Sequence, residues 1–325
     1  MTAPAVRRGF TLVELLVVTG LFAVFFGLIV NGLRPNADSQ VRQLSQSLSS
    51  AILAAQTRAL GSETGAALIF DVTSPNIYTN TVFNADIPPL IVGNVVSGMP
   101  PAVLNSTTSL VSLSLSNADV ADLAYGYKIL FTGSPTSPAS AWMAFSSPGT
   151  ALTGTVSLRA AANQTIHNTP WPNVQMGGSL QFAIARFPLK STSALETTKQ
   201  AAIDLRYSGI GNTISGDYGS LHNKGPIAIT FDRNGRLNSV MQYGTGLTPV
   251  VEPVNPSAPL YLLIANLADT QDNRSLQAQT SRWLAVAPGT GRVTVAANVP
   301  VSGTTEAAVL NARANALQGA TGGIK

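Results

Sequence analysis

The sequence predicts an α+β fold: a long N-terminal helix, apolar enough in its first half to cross a membrane and amphipathic in its second, packed on a β-rich globular domain of antiparallel hairpins. Three observations predict it. A nearly uncharged run fills 10–33, a stripe of apolar residues at helical spacing follows it, and alternating apolar segments punctuated by Gly, Pro, Asn and Ser fill most of the remainder. The expected divisions are a leader over 1–9, a transmembrane helix over 10–33, its amphipathic continuation over 34–62, a β-rich periplasmic domain over 63–300 and a flexible or short helical tail over 301–325.

Residues 10–33 read FTLVELLVVTGLFAVFFGLIVNGL, with Glu14 as the sole charge. As a helix this run reaches roughly 36 Å, against about 30 Å of bilayer hydrocarbon. Arg7 and Arg8 precede it and only Arg34 follows closely. The positive-inside rule then keeps the N-terminus cytoplasmic and places everything after Leu33 outside, as a single-pass protein of the inner membrane. A secretory signal would instead have an apolar core of about 7–15 residues and a small-residue cleavage site beyond it. Asn31, Arg34 and Pro35 occupy that place. Glu14 is the remaining anomaly. A carboxylate costs about 2.5–3.5 kcal/mol at the centre of a span, and less toward its end, so it calls for a partner.

The segment Arg7-Arg8-Gly9-Phe10-Thr11-Leu12-Val13-Glu14-Leu15-Leu16-Val17 resembles the type IV prepilin cleavage and methylation motif: a short basic leader, Gly before the cut, Phe after it, and Glu four residues beyond the Phe. The resemblance implies cleavage between Gly9 and Phe10 by a prepilin peptidase, N-methylation of Phe10, and neutralisation of that new amino group by Glu14 of a neighbouring subunit. Such a pair sets the axial stagger between subunits more than it adds stability. The partners implied are other pilin or pseudopilin subunits, an inner-membrane assembly platform and the lipid bilayer. The function implied is that of a non-enzymatic structural subunit, a pseudopilin or minor pilin of a type II secretion or type IV pilus-like filament. The alternative is a filament-tip minor pilin that adheres to a ligand or to DNA. Gly20 and Gly27 would let membrane helices approach closely, or are ordinary helix composition.

Pro35 marks a break or kink, and Asp38 or Ser39 is a plausible N-cap. From there Val41, Leu44, Leu48, Ile52, Ala55 and Ala59 form one apolar stripe, and Gly61 ends it. Strand patterns begin at Ala66. The stretch from about Ala85 to Lys224 reads as β-rich elaboration with variable loops, and Ser208 to Asn212 within it as a flexible turn. Two hairpins are clearer: 227–241 around Asp232-Arg233-Asn234-Gly235, and 281–295 around Ala287 to Gly291. Both place Gly-Arg at the start of the returning strand. With the helix AILAAQTRAL and the strand AALIFD, this is similar to the general secretion pathway H / FimT type of pseudopilin. Leu260–Leu267 reads as a buried strand or short helix.

Composition narrows the chemistry. There is no cysteine, which excludes disulfides and thiol nucleophiles. The formal charge is +4, or about +2 without Arg7 and Arg8, and no other basic run exists, so nucleic acid is not an expected partner. His167 and His222 sit in polar loops without metal-ligand spacing, and no nucleophile elbow or phosphate loop appears. No catalytic residue and no cofactor is expected. Asp269 and Asp272, beside Asn273, are the only metal candidates, offering oxygen ligands without the EF-hand pattern. Trp142, Trp171 and Trp283 are candidates for a binding face, with Trp283 better suited to a strand in the core. Arg274, Arg282, Arg292 and Arg313 form no legible patch.

Overall fold

The computed structural model describes residues 12–32, 37–72, 77–97, 109–112, 114–115, 126–132, 142–146, 155–159, 181–195, 200–216, 218–243 and 254–322. Two helices come first, α1 Leu12–Gly32 and α2 Ala37–Leu60. Seventeen strands follow in chain order: β1 Ala66–Asp71, β2 Tyr78–Thr79, β3 Thr81–Asp86, β4 Ile91–Ser97, β5 Ser109–Ser112, β6 Ser114–Leu115, β7 Gly126–Thr132, β8 Met143–Ser146, β9 Thr155–Arg159, β10 Gln181–Arg186, β11 Leu189–Leu195, β12 Ala201–Ile210, β13 Ile227–Phe231, β14 Leu237–Gln242, β15 Leu260–Asn266, β16 Arg282–Val286 and β17 Val293–Ala297. A short helix α3, Leu267–Gln271, follows β15, and α4, Glu306–Gly322, closes the chain.

This architecture corrects the expected fold class. The fold is mostly β, in three antiparallel sheets, and the expected long N-terminal helix packed on a β domain is not seen. The described helical residues at this end fall in α1, to Gly32, and in α2, from Ala37. Of the two, α2 packs on the sheets, while α1 belongs to none of the described core clusters. The expected single-pass inner-membrane placement is corrected as well. Among the described residues no helix is long and apolar enough to cross a membrane.

The first sheet has the order β11-β3-β1-β13-β14 and the second β17-β16-β15-β12-β2. Every member of the α2 stripe is buried: Val41, Leu44, Leu48, Ile52, Ala55 and Ala59 are all at most 1% exposed. They meet Ala66, Leu68 and Phe70 of β1 and Ile227, Ile229 and Phe231 of β13 from the first sheet. From the second they meet Ile203 and Leu205 of β12, Leu260, Leu262 and Ile264 of β15, and Leu284 and Val286 of β16. The intervening residues of these strands face the opposite way, as a period of two requires. Ala67, Ile69, Ala228 and Met241 pack under Phe187, and Tyr261, Leu263, Trp283 and Ala285 pack under Val309, Ala312 and Ala316 of α4. Central strands with both faces covered have no polar side to show. That is why LYLLIAN, RWLAV and IAITF read as near-continuous apolar runs.

The third sheet, order β5-β9-β8-β7-β10-β4-β6, contains only strands β4 to β10. The chain leaves the first sheet after β3 and re-enters it at β11, which pairs with β3. The elaboration is therefore a single insertion over 91–186, narrower than the stretch marked out in the sequence, because β11 and β12 belong to the main sheets.

Candidate functional site

The most unusual surface is α1. Leu12, Val13, Leu15, Leu16, Val17, Leu21, Phe22 and Phe25 are each more than half exposed. A helix hydrophobic around its circumference belongs in a packed environment rather than in water. Thr19 adds to this character. Its hydroxyl donates to the Leu15 carbonyl at 2.9 Å and lies 3.1 Å from that of Leu16, so its hydrogen-bonding capacity turns inward onto the backbone. A Cβ at Gly20 would meet nothing within 4 Å, leaving a small-residue position open along the rod. Glu14 lies in the first turn of α1. Gly9 and Phe10 lie outside the described residues, as do Arg7, Arg8, His167 and Trp171.

In the head, formed by the first two sheets with α2, α3 and α4, two turns meet beside α2. Gln56, near the C-terminal end of α2, donates from Nε2 to the carbonyl of Gly291 at 2.5 Å. A Cβ on Gly291 would stand 2.3 Å from the Gly235 carbonyl oxygen. The two Gly-Arg hairpins seen in the sequence thus meet turn to turn beside α2. Both glycines have positive φ, 73° and 67°, which a side chain would strain.

Buried charge in the head is committed to structure. Asp204 of β12 is fully buried and held by a bidentate pair from Arg206, Nε to Oδ1 at 3.0 Å and Nη2 to Oδ2 at 2.7 Å. Ser275 Oγ donates to Oδ2 at 2.7 Å. Arg206 also donates to the Thr270 carbonyl, tying α3 to the sheet. Burial opposes the Arg206 cation, but the hydrogen bond and charge of Asp204 outweigh it and raise the guanidinium pKa. The register of β12 against β15 shifts between Asp204 and Gly209, and Ser208 Oγ fills the irregularity by donating to the Asp204 carbonyl and accepting from Leu263 N–H. Ser208 to Ile210, expected as a flexible turn, are thus strand residues within the second sheet.

Arg313 of α4 is the second such device. Fully buried, it donates to four carbonyls, those of Tyr207, Gly211, Thr213 and Gly219, at 2.6 to 3.0 Å. Burial lowers its pKa to about 10, so it remains charged at neutral pH. It ties α4 to β12 and to Gly211, Thr213 and Gly219.

The other candidates from the sequence are dispersed. Asp272 pairs with Arg274 at 2.6 Å, and the Asp269 carbonyl accepts from Arg274 N–H in the turn after α3. Among the described residues no three His, Cys, Asp or Glu side chains gather as a metal cage. Trp283 is in the core and donates to Asn298 at 3.0 Å, while Trp142 is 39% exposed on the insertion. His222 is half-buried, and burial and the Arg206 cation lower its pKa against the opposing pull of Asp204. Arg313 is interior and Arg292 exposed, so the four late arginines do not form one surface patch.

Gln56, Asp204, Arg206, Ser275 and Arg313 were not singled out by sequence reasoning as a structural set. The glycines at 209 and 219 were the available signal. A Cβ on Gly209 would stand 2.1 Å from the Gly219 carbonyl oxygen, a backbone approach that the Arg313 fork then exploits. Compared with known protein families, with curated proteins and with solved structures, the chain matches none.

Proposed function

We propose that the chain is a non-enzymatic structural subunit, a pseudopilin or minor pilin of a type II secretion or type IV pilus-like filament. It is matured by a prepilin peptidase between Gly9 and Phe10 and assembled through α1. The observation that carries this reading is the prepilin-like segment from Arg7 to Glu14 running into a helix whose apolar side chains the head leaves uncovered. Helices of further copies are suitable cover, since each Leu or Phe buried there contributes about 1.5–3 kcal/mol. The Phe10 amine of one copy against Glu14 of the next fixes the stagger, because a misregistered helix would bury either charge unpaired. The buried polar groups of the head also fit a structural role: Asp204, Arg206 and Arg313 hold α3 and α4 in place.

The chain has no cysteine, so Val17→Cys places a unique thiol on α1. Expressed with its assembly machinery, this variant is expected to form cross-linked dimers on mild oxidation. Adding Glu14→Ala should abolish them while processed protein still accumulates. Dimers that survive Glu14→Ala would refute the pairing role, and absence of dimers in both would refute assembly through α1.

A further inference from the structure

The second sheet ends on β17, which also contacts α2 and α4. Among the described residues β17 pairs only with β16, in the register Trp283–Ala296 and Ala285–Thr294. Asn298 N–H donates to Ser281 and Ala287 N–H to Arg292, so the ladder bonds of β17 fall on the even-numbered positions. Alternation then turns the N–H and C=O groups of Val293, Val295 and Ala297 away from β16. Natural edges are usually blunted by charge, proline or a bulge, and 293–297 contains neither a charge nor a proline, with an unbroken register. Val295 is 40% exposed and nearby Val299 51%.

Beside this edge runs a groove of about 450 Å³ against α2, lined by Arg42, Ser45, Gln46, Ser49, Arg282 and Val295 among others. Arg42 and Arg282 share a single carboxylate: Asp38 lies 2.7 Å from Arg42 Nη2 and 3.9 Å from Arg282 Nη2. The cluster therefore keeps a net positive charge. Among the described residues, Arg282 Nε is buried without a hydrogen-bond partner. A buried donor left unmade is costly, so the site is short of an acceptor.

We infer that β17 takes an extended acidic segment of another protein as an added strand. The segment's backbone pairs with Val293, Val295 and Ala297, and one of its carboxylates enters the groove between Arg42 and Arg282. A second copy of this chain fits less well, because β17 against β17 would bring two like-charged grooves together.

Panning a displayed library of random twelve-residue peptides on the full-length chain in mild detergent, followed by fluorescence anisotropy of the recovered peptides, tests this. Recovered peptides are expected to carry Asp or Glu among β-branched residues and to slow amide exchange at Val293, Val295 and Ala297. Val295→Pro removes an outward N–H and no bond to β16, so the sheet is retained and affinity should fall at least about tenfold. Arg42→Glu changes a guanidinium that is 59% exposed, leaves the edge intact, and should weaken binding at least about tenfold. Recovery of no peptide, equal affinity in Arg42→Glu, slowed amides elsewhere, or a concentration-dependent dimer through β17 would each overturn the inference.

Discussion

Gln56 and Gly291 are 235 residues apart in sequence and joined by a 2.5 Å hydrogen bond. The bond binds α2 to the turn between β16 and β17, and Gly291 in turn abuts Gly235, so one contact registers both sheets on one helix. Gln56→Ala should lower unfolding free energy by about 1 kcal/mol. Gly291→Ala should cost more, about 2–3 kcal/mol, because it adds a clash and strains a positive φ. Urea titrations of the two variants check the order, and a smaller loss in Gly291→Ala would contradict the turn-to-turn contact.

Asp204 is tolerated in the interior because Arg206 and Ser275 saturate it. Asp204→Ala leaves the largely buried Arg206 without its counter-charge and should cost about 3–5 kcal/mol. Asp204→Leu combined with Arg206→Met removes both charges and should recover part of that loss. Additive losses measured by denaturation would argue against a coupled pair.

Arg313 supplies donors to four carbonyls at once, which a lysine cannot reproduce. Arg313→Met and Arg313→Lys should both cost about 3 kcal/mol or more. They should speed amide exchange in α4 and 211–219 while leaving β1 and β13 protected. Uniform acceleration across both sheets would show that α4 is not a separable latch.

His222 makes stability depend on mild acid. Its folded pKa is lowered, first by burial and then by Arg206, while the unfolded chain titrates near about 6.5. The unfolded state therefore binds the proton more tightly. Stability is intact above about pH 6.5 and falls as pH drops from there toward the folded value. Denaturation at about pH 7.5 and about pH 5.5 should show a smaller loss in His222→Gln than in the parent. An equal loss would assign the effect to other groups.

Local patterns were legible in the sequence where one residue's fate depends on its near neighbours. The α2 stripe reads at helical spacing because one helix face meets one core, and both Gly-turn hairpins read because their strands are adjacent in sequence. What was not legible depends on distant pairings. β1 lies between β3 and β13, and nothing near Ala66–Asp71 names Ile227–Phe231 as its neighbour. The limits of the insertion were obscured for the same reason: β11 looks like its neighbours until it pairs with β3. Arg313 sits in an Ala-rich segment and looks exposed until the carbonyls of Gly211 and Gly219 converge on it. The expected continuous helix overweighted an apolar run that passes directly into an amphipathic one, and only α2 has a sheet to lie on.

Intact mass of the chain isolated from its native host tests the assignment most directly. A processed pilin-like subunit begins at Phe10, lacks residues 1–9, and carries one added methyl group on its N-terminal amine. A chain that retains Met1, or one cut beyond Gly32, would contradict it.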